Sequence, residues 1–184
     1  MRNLSDYSGE FLPDFRMNDF SHDVLADLLK LYSKLYGALD GFWYLTVKDR
    51  IGNKEALDSD LQAWEKICQY EMKYITRQLN IQGNDVISLM KAIQVIPWFQ
   101  QMQYKIEIEG PNIAMLEINY CPTLEALEKE GTGRENQICK IVEPFVLKNY
   151  ASFFNPDIEV ECLKLPPRKS KSETCCQWRI IGGK

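Results

Sequence analysis

One histidine, His22, occurs among the 184 residues, and there is no C-x-x-C pair, H-E-x-x-H, G-x-S-x-G elbow or glycine-rich phosphate loop. The first two absences remove the usual histidine-based and paired-cysteine zinc patterns, the third a serine-hydrolase elbow, and the last nucleotide binding through a phosphate loop. No apolar run is long enough to span a bilayer, and the opening residues Met1-Arg2-Asn3-Leu4-Ser5-Asp6 lack the apolar core of a secretory signal. Positive charge is not in excess. Twenty-two Lys and Arg stand against 26 Asp and Glu, a net charge of −4, which disfavours nucleic acid or anionic membrane as a partner. The expectation is a cytoplasmic protein, where six cysteines read as reduced thiols, metal ligands or buried small groups rather than a disulfide framework.

The chain has an ordinary globular composition, 45% apolar and 26% charged, and the length of one domain over 1–184. After an irregular arm with Phe11 and Phe15 as its packing candidates, Ser21 is placed to cap a helix whose stripe is Val24, Leu28, Leu31, Leu35 and Leu39. Asp40-Gly41 reads as its end. The aromatic run Phe42 to Val47 has strand-like composition and fits a strand or a buried loop, before a turn at Gly52-Asn53 and a short helical piece at Glu55 to Leu57. Ser59 and Gln62 form a capping box for a second helix with Leu61, Trp64, Cys68, Met72, Ile75 and Leu79 on its apolar face. A third helix runs from about Asn84 to Ile96 and stops at Pro97.

The period then changes from helical to alternating. Tyr104, Ile106 and Ile108, then Ala114, Leu116, Ile118 and Tyr120 across Gly110-Pro111-Asn112, predict a β-hairpin with one wet face. Pro122 to Leu127 is a short helix, and Thr132 with Glu135 opens a longer one that Pro144 should kink or split. Two strands, Ile158 to Leu163 and Cys176 to Ile181, close the chain. The predicted class is α+β, with a helical part at about 20–100 and, at about 101–182, an antiparallel sheet of four strands with helices on one face.

Five of the six cysteines fall after residue 120. Cys121 precedes a helix that starts with Pro122, where free N–H groups and the helix dipole favour a thiolate. It is the candidate nucleophile, with Glu117 or Glu107 on the hairpin's polar face as proton shuttle. Cys139 lies on the apolar side of its helix. Cys162 alternates with Ile158 and Val160 toward the core, and Cys176 shares a face with Trp178, so a simple hairpin would set Cys162 and Cys176 side by side. Cys121, Cys139, Cys162 and Cys176 then form a candidate four-thiolate set suited to zinc or an iron-sulfur cluster. Cys68 and Cys175 read as structural. Arg168-Lys169 with Lys171 form a basic turn of the kind usual at a surface, able to grip a carboxylate or phosphate.

Cys121, the segment Ile138-Cys139-Lys140-Ile141-Val142-Glu143, the segment Asn155 to Cys162 with Pro166-Pro167, and Cys176-Gln177-Trp178 together resemble an uncharacterised cytosolic family of anaerobic bacteria and archaea. In the order of these elements the chain is also similar to the 4-vinyl-reductase-like small-molecule-binding domain and to the L-2-amino-thiazoline-4-carboxylic acid hydrolase family. The chain departs from that pattern at Leu165 and Arg168. The resemblance implies a pocket between helices and an antiparallel sheet for a hydrophobic or heterocyclic ligand, with the four cysteines acting as a set. Two functions are therefore expected to compete. One is a small-molecule or metal-binding domain in which Cys121, Cys139, Cys162, Cys176 and Trp178 line the site; the other is a thiol-dependent hydrolase of a small heterocycle. A homodimer is compatible with either.

Overall fold

In the computed structural model, which describes residues 2–183, the chain builds five helices and one four-stranded sheet. Helix α1 (His22–Ile51) and helix α2 (Asn53–Leu79) form a long pair joined only by Gly52. Ser21 caps α1 as its sequence predicts, its hydroxyl accepting from the Val24 N–H at 3.3 Å.

The stop expected at Gly41 does not occur. A glycine inside a helix costs only about 1 kcal/mol against alanine, and Gly41 is not among the glycines with positive φ, whereas Gly52, at φ 104°, ends α1. The Phe42–Val47 run, strand-like in composition, is thus helical, and the predicted piece at Glu55 and the helix from Ser59 are one helix. Ser59 does not cap it; its hydroxyl bonds the Glu55 carbonyl one turn back.

The leucine stripe of α1 also faces the wrong way for the prediction. Leu31, Leu35 and Leu39 are exposed, while Ser33 and Tyr44 are buried. Gly37 explains the choice. A Cβ there would lie 3.1 Å from the Trp98 ring, so the small residue lets α1 approach the tight helical turn Pro97–Gln101, and the Ser33 hydroxyl donates to the Pro97 carbonyl. In the N-terminal arm Phe15 stacks between Tyr7 and Phe20, but Phe11 is exposed.

Helix α3 (Val86–Ile93) is capped by Asp85, whose carboxylate accepts from the Ser88 N–H at 2.7 Å. Strands β1 (Gln103–Ile108) and β2 (Ile113–Tyr120) form the expected hairpin, turning at Gly110, whose φ of 103° few other residues adopt. Helix α4 (Pro122–Glu130) and helix α5 (Glu135–Phe154) follow, and α5 continues past Pro144 as one helix. Thr132 does not cap it, its hydroxyl being bonded to Glu130 instead. Strands β3 (Glu159–Lys164) and β4 (Cys176–Ile181) complete a fully antiparallel sheet in the order β1-β2-β4-β3.

Alternation along β2 and β4 turns Ala114, Leu116, Ile118, Trp178 and Ile180 inward. They join one core with Trp64, Cys68 and Met72 of α2, Leu89 and Ile93 of α3, and Leu147, Tyr150 and Ala151 of α5. The core also holds a polar knot. Glu71, 8% exposed, accepts from Tyr36 at 3.1 Å and from Tyr150 at 2.6 Å, tying α1, α2 and α5 together. Both hydrogen bonds favour its charge, yet burial outweighs them and raises its carboxyl above the ordinary range.

Candidate functional site

Two adjoining spaces open inside the fold, the larger among the helices and the smaller between α4, α5 and the sheet. The larger is a cleft of about 1170 Å³, to which α1 contributes Gly37, Ala38, Asp40, Gly41 and Tyr44; α2, Asp60 and Trp64; and the turn after α3, Trp98 and Phe99. α4 adds Pro122, Ala126 and Leu127, and α5 adds Val142, Glu143, Leu147 and Tyr150. Small-molecule sites commonly occupy roughly 300–1000 Å³, so an organic molecule fits with room left at the mouth. The smaller space, about 20 Å³, is bounded by Cys121, Cys139, Cys175, Cys176, Trp178 and Glu143 among others. That is room for about one water. Phe99, Glu143 and Leu147 border both, so the thiols stand at an inner recess of the cleft.

Of the predicted thiols, Cys121, Cys139 and Cys176 are brought to this recess, and Trp178 with them. Cys162 is not. Its backbone pairs with Trp178 rather than with Cys176, which pairs with Ile118. A bulge follows it, and the edge strand leaves it exposed. Cys175, read from sequence as structural, takes the fourth place: it is 1% exposed, and its thiol lies 3.5 Å from the Asn119 carbonyl and 3.5 Å from Arg168 Nη1. The expected four-thiolate set is therefore not assembled, and among the described residues no three His, Cys, Asp or Glu side chains converge closely enough to hold a metal ion.

The expected acid is displaced as well. Glu117 alternates to the outer face of β2, where Thr174 approaches it at 3.4 Å, and Glu107 pairs with Lys105 in solvent. The carboxyl that reaches the thiols is Glu143 of α5. It bears electrostatically on Cys121, Cys139 and Cys176, raising each thiol further. Protein surrounds Glu143 while part of its surface stays on the cavities, and desolvation pushes its carboxyl up to about 7. Among the described residues it forms no ion pair.

Cys121 occupies the N-cap position of α4 without a side-chain cap bond; the N–H groups of Thr123 and Leu124 favour its thiolate as anticipated, but burial and Glu143 outweigh them and push the thiol up to about 12. Burial raises Cys139 and Cys176 in the same direction. At neutral pH the recess holds protonated thiols.

Arg168 leaves the surface role expected of it. Its side chain is 2% exposed and binds Glu128 at 2.8 Å and Glu125, both on α4, as well as the Lys171 carbonyl at 3.1 Å. The basic loop grips carboxylates, but those of its own chain, and so clamps the Pro-Pro loop over the recess.

Two further acids in the cleft escaped notice in the sequence. Asp60, 5% exposed, is pushed up to about 7 by burial and by Asp40, with the Trp64 indole partly offsetting this; Asp40 is pushed up to about 6 by burial. Neither forms an ion pair among the described residues. A signal was present: Asp60 precedes Trp64 by four residues, Glu143 follows Cys139 by four, and Asp40 sits four from both Tyr36 and Tyr44. Each is an acid on the inward stripe of a helix, where charge is costly.

Among known proteins, the model of one family, described as a family of unknown function (DUF6125), matches residues 18–181. No curated protein and no solved structure matches the chain. An uncharacterised family is thus what the sequence resembles and what the match gives; neither of the two better-named groups comes with it.

Proposed function

The chain belongs to DUF6125, a family of unknown function, and we propose that it is a binding protein for a small, largely apolar organic molecule. The observation that carries this reading is the cleft itself, an apolar and aromatic space of about 1170 Å³ holding buried and half-buried carboxyls that form no ion pair among the described residues. Sites of this composition, mostly apolar with a few placed polar groups, are the usual form of ligand pockets. The recess of thiols at its inner end is too small for the ligand, and fits one water or one protruding atom of it.

A thiol-dependent hydrolase of a small heterocycle is the second reading. It is favoured by Glu143 and Cys121 lining the same recess, which makes Glu143 the candidate base, and it requires that a bound substrate lower a thiol now held at about 12.

The test uses Gly41. A side chain there meets no atom within 4 Å of its Cβ, and the position borders the cleft, so Gly41→Phe fills the cleft without crowding the backbone. Titration of the neutral fluorophore N-phenyl-1-naphthylamine should give saturable emission with the wild-type protein and at least about tenfold weaker binding with the variant, the equivalent of about 1.4 kcal/mol. Equal binding to both would overturn the assignment of the cleft. An alkylation-sensitive turnover of a thiazoline would favour the hydrolase.

A further inference from the structure

Charge is sorted within the cleft by depth. Lys30, Lys34 and Lys129 border it but are exposed, Lys30 being paired with Asp27, while the largely buried Arg134 is tied to Glu130 at 2.5 Å and lies over the Tyr44 ring at 5.3 Å. Lys48 also approaches Glu130, at 3.4 Å. Inside, the charged groups are Asp40, Asp60 and Glu143, and among the described residues none of them has a cationic partner. Asp60 is more than nine-tenths buried and borders the cavity. Its near neighbours are the carboxyl of Asp40 and the indole of Trp64, which meets Trp98 edge-on at 5.8 Å between ring centres.

A buried acid without a partner is costly in the empty protein. The cost is removed by a bound positive charge, and aromatic faces beside the acids attract that charge too. Resting on the reading of the cleft as a ligand site, we propose that its ligand is an organic cation: an apolar or aromatic body carrying an amine or quaternary ammonium, seated with the cationic group between Asp40, Asp60 and the Trp64–Trp98 pair. The lysines at the mouth oppose a cation's approach, but they are exposed to solvent and screened by it, whereas the buried acids act at short range.

The inference separates from the broader reading by comparing ligands of one chain length whose head groups carry different charge. With N-phenyl-1-naphthylamine bound to the wild-type chain at about pH 8, where the three acids are more ionised than at neutral pH, three competitors with ten-carbon chains are added below their micelle or solubility limits: decyltrimethylammonium, decanol and decanoate. The cation should displace the fluorophore at about one-tenth the concentration decanol needs, with decanoate weakest. Asp60→Asn should bring decyltrimethylammonium down toward decanol. Decanol equal to or better than the cation in the wild type, or decanoate best, would overturn the cationic ligand while leaving the cleft a binding site. Failure of the fluorophore to bind at all would remove both. The wild-type comparison stands whether or not the variant folds.

Discussion

Replacing Asp60 by asparagine should stabilise the empty protein, and do so more as the pH rises. Asp60 ordinarily titrates at 3.8 and is pushed up to about 7 in the fold, chiefly by burial. Because its folded value is the raised one, the folded state holds the proton more tightly. The contribution of Asp60 is complete below pH 3.8 and is lost as the pH climbs through about 7. Each tenfold change in proton affinity is about 1.4 kcal/mol, so the ceiling is about 4 kcal/mol. Screening and relaxation around a group bordering a cleft reduce that to about 2 kcal/mol. The carboxamide that replaces the acid keeps a partner for the Trp64 indole and has no proton to lose. Urea unfolding at about pH 5 and about pH 8 measures the effect. The wild type should lose stability over that interval, since Asp40 and Glu143 are raised like Asp60, and Asp60→Asn should lose about 1 kcal/mol less, the part of the change that falls between the two pH values. The carboxyls held low by partners, Glu130 at about 2 and also Glu125 and Glu173, lose their contribution only as the pH falls below the ordinary carboxylate range, outside this interval. A variant less stable than wild type at the higher pH, or a wild type that gains stability between the two, would refute the view of Asp60 as an unpaired buried acid.

Three further outcomes are expected. Arg168→Met should cost about 2–4 kcal/mol in urea unfolding, because Glu125 and Glu128 lose their shared partner over a part-buried surface; a loss below about 0.5 kcal/mol would make the clamp a surface pair. Iodoacetamide at neutral pH, followed by peptide mass analysis, should modify Cys162 first and Cys121, Cys139, Cys175 and Cys176 at least about a hundredfold more slowly, through opening of the fold; a fast Cys121 would favour the hydrolase. Asp85→Ala should cost about 1 kcal/mol through the cap of α3.

The sheet was legible where period and turn chemistry agreed. Tyr104 to Tyr120 alternates cleanly around Gly110, and the hairpin lies where the pattern puts it. The long helices were harder, because the ends read at Gly41 and Ser59 rest on terms of about 1 kcal/mol that packing overrides. The face of α1 was misread because its strongest stripe, Leu31, Leu35 and Leu39, is exposed, while a glycine, a serine and tyrosines make the contact. For the site, a local rule found Cys121, Cys139 and Cys176, each next to a helix or strand signal. Register decided the remaining place: β3 pairs with β4 so that Cys162 meets Trp178, and the turn before β4 puts Cys175 inside instead. No local pattern carries that pairing. Glu117 followed the alternation correctly to the wet face, and the acid at the thiols came from a helix 26 residues on, at Glu143.

Hydrogen–deuterium exchange of the whole chain with and without N-phenyl-1-naphthylamine tests the assignment of the cleft most directly, since it locates the bound molecule without any substitution. The account predicts slower exchange confined to peptides carrying residues 37–45 of α1, 60–64 of α2, the turn 97–101 and the facing parts of α4 and α5. Protection falling instead on the outer face of the sheet, around Glu117 and Arg179, or no protection at all, would contradict it.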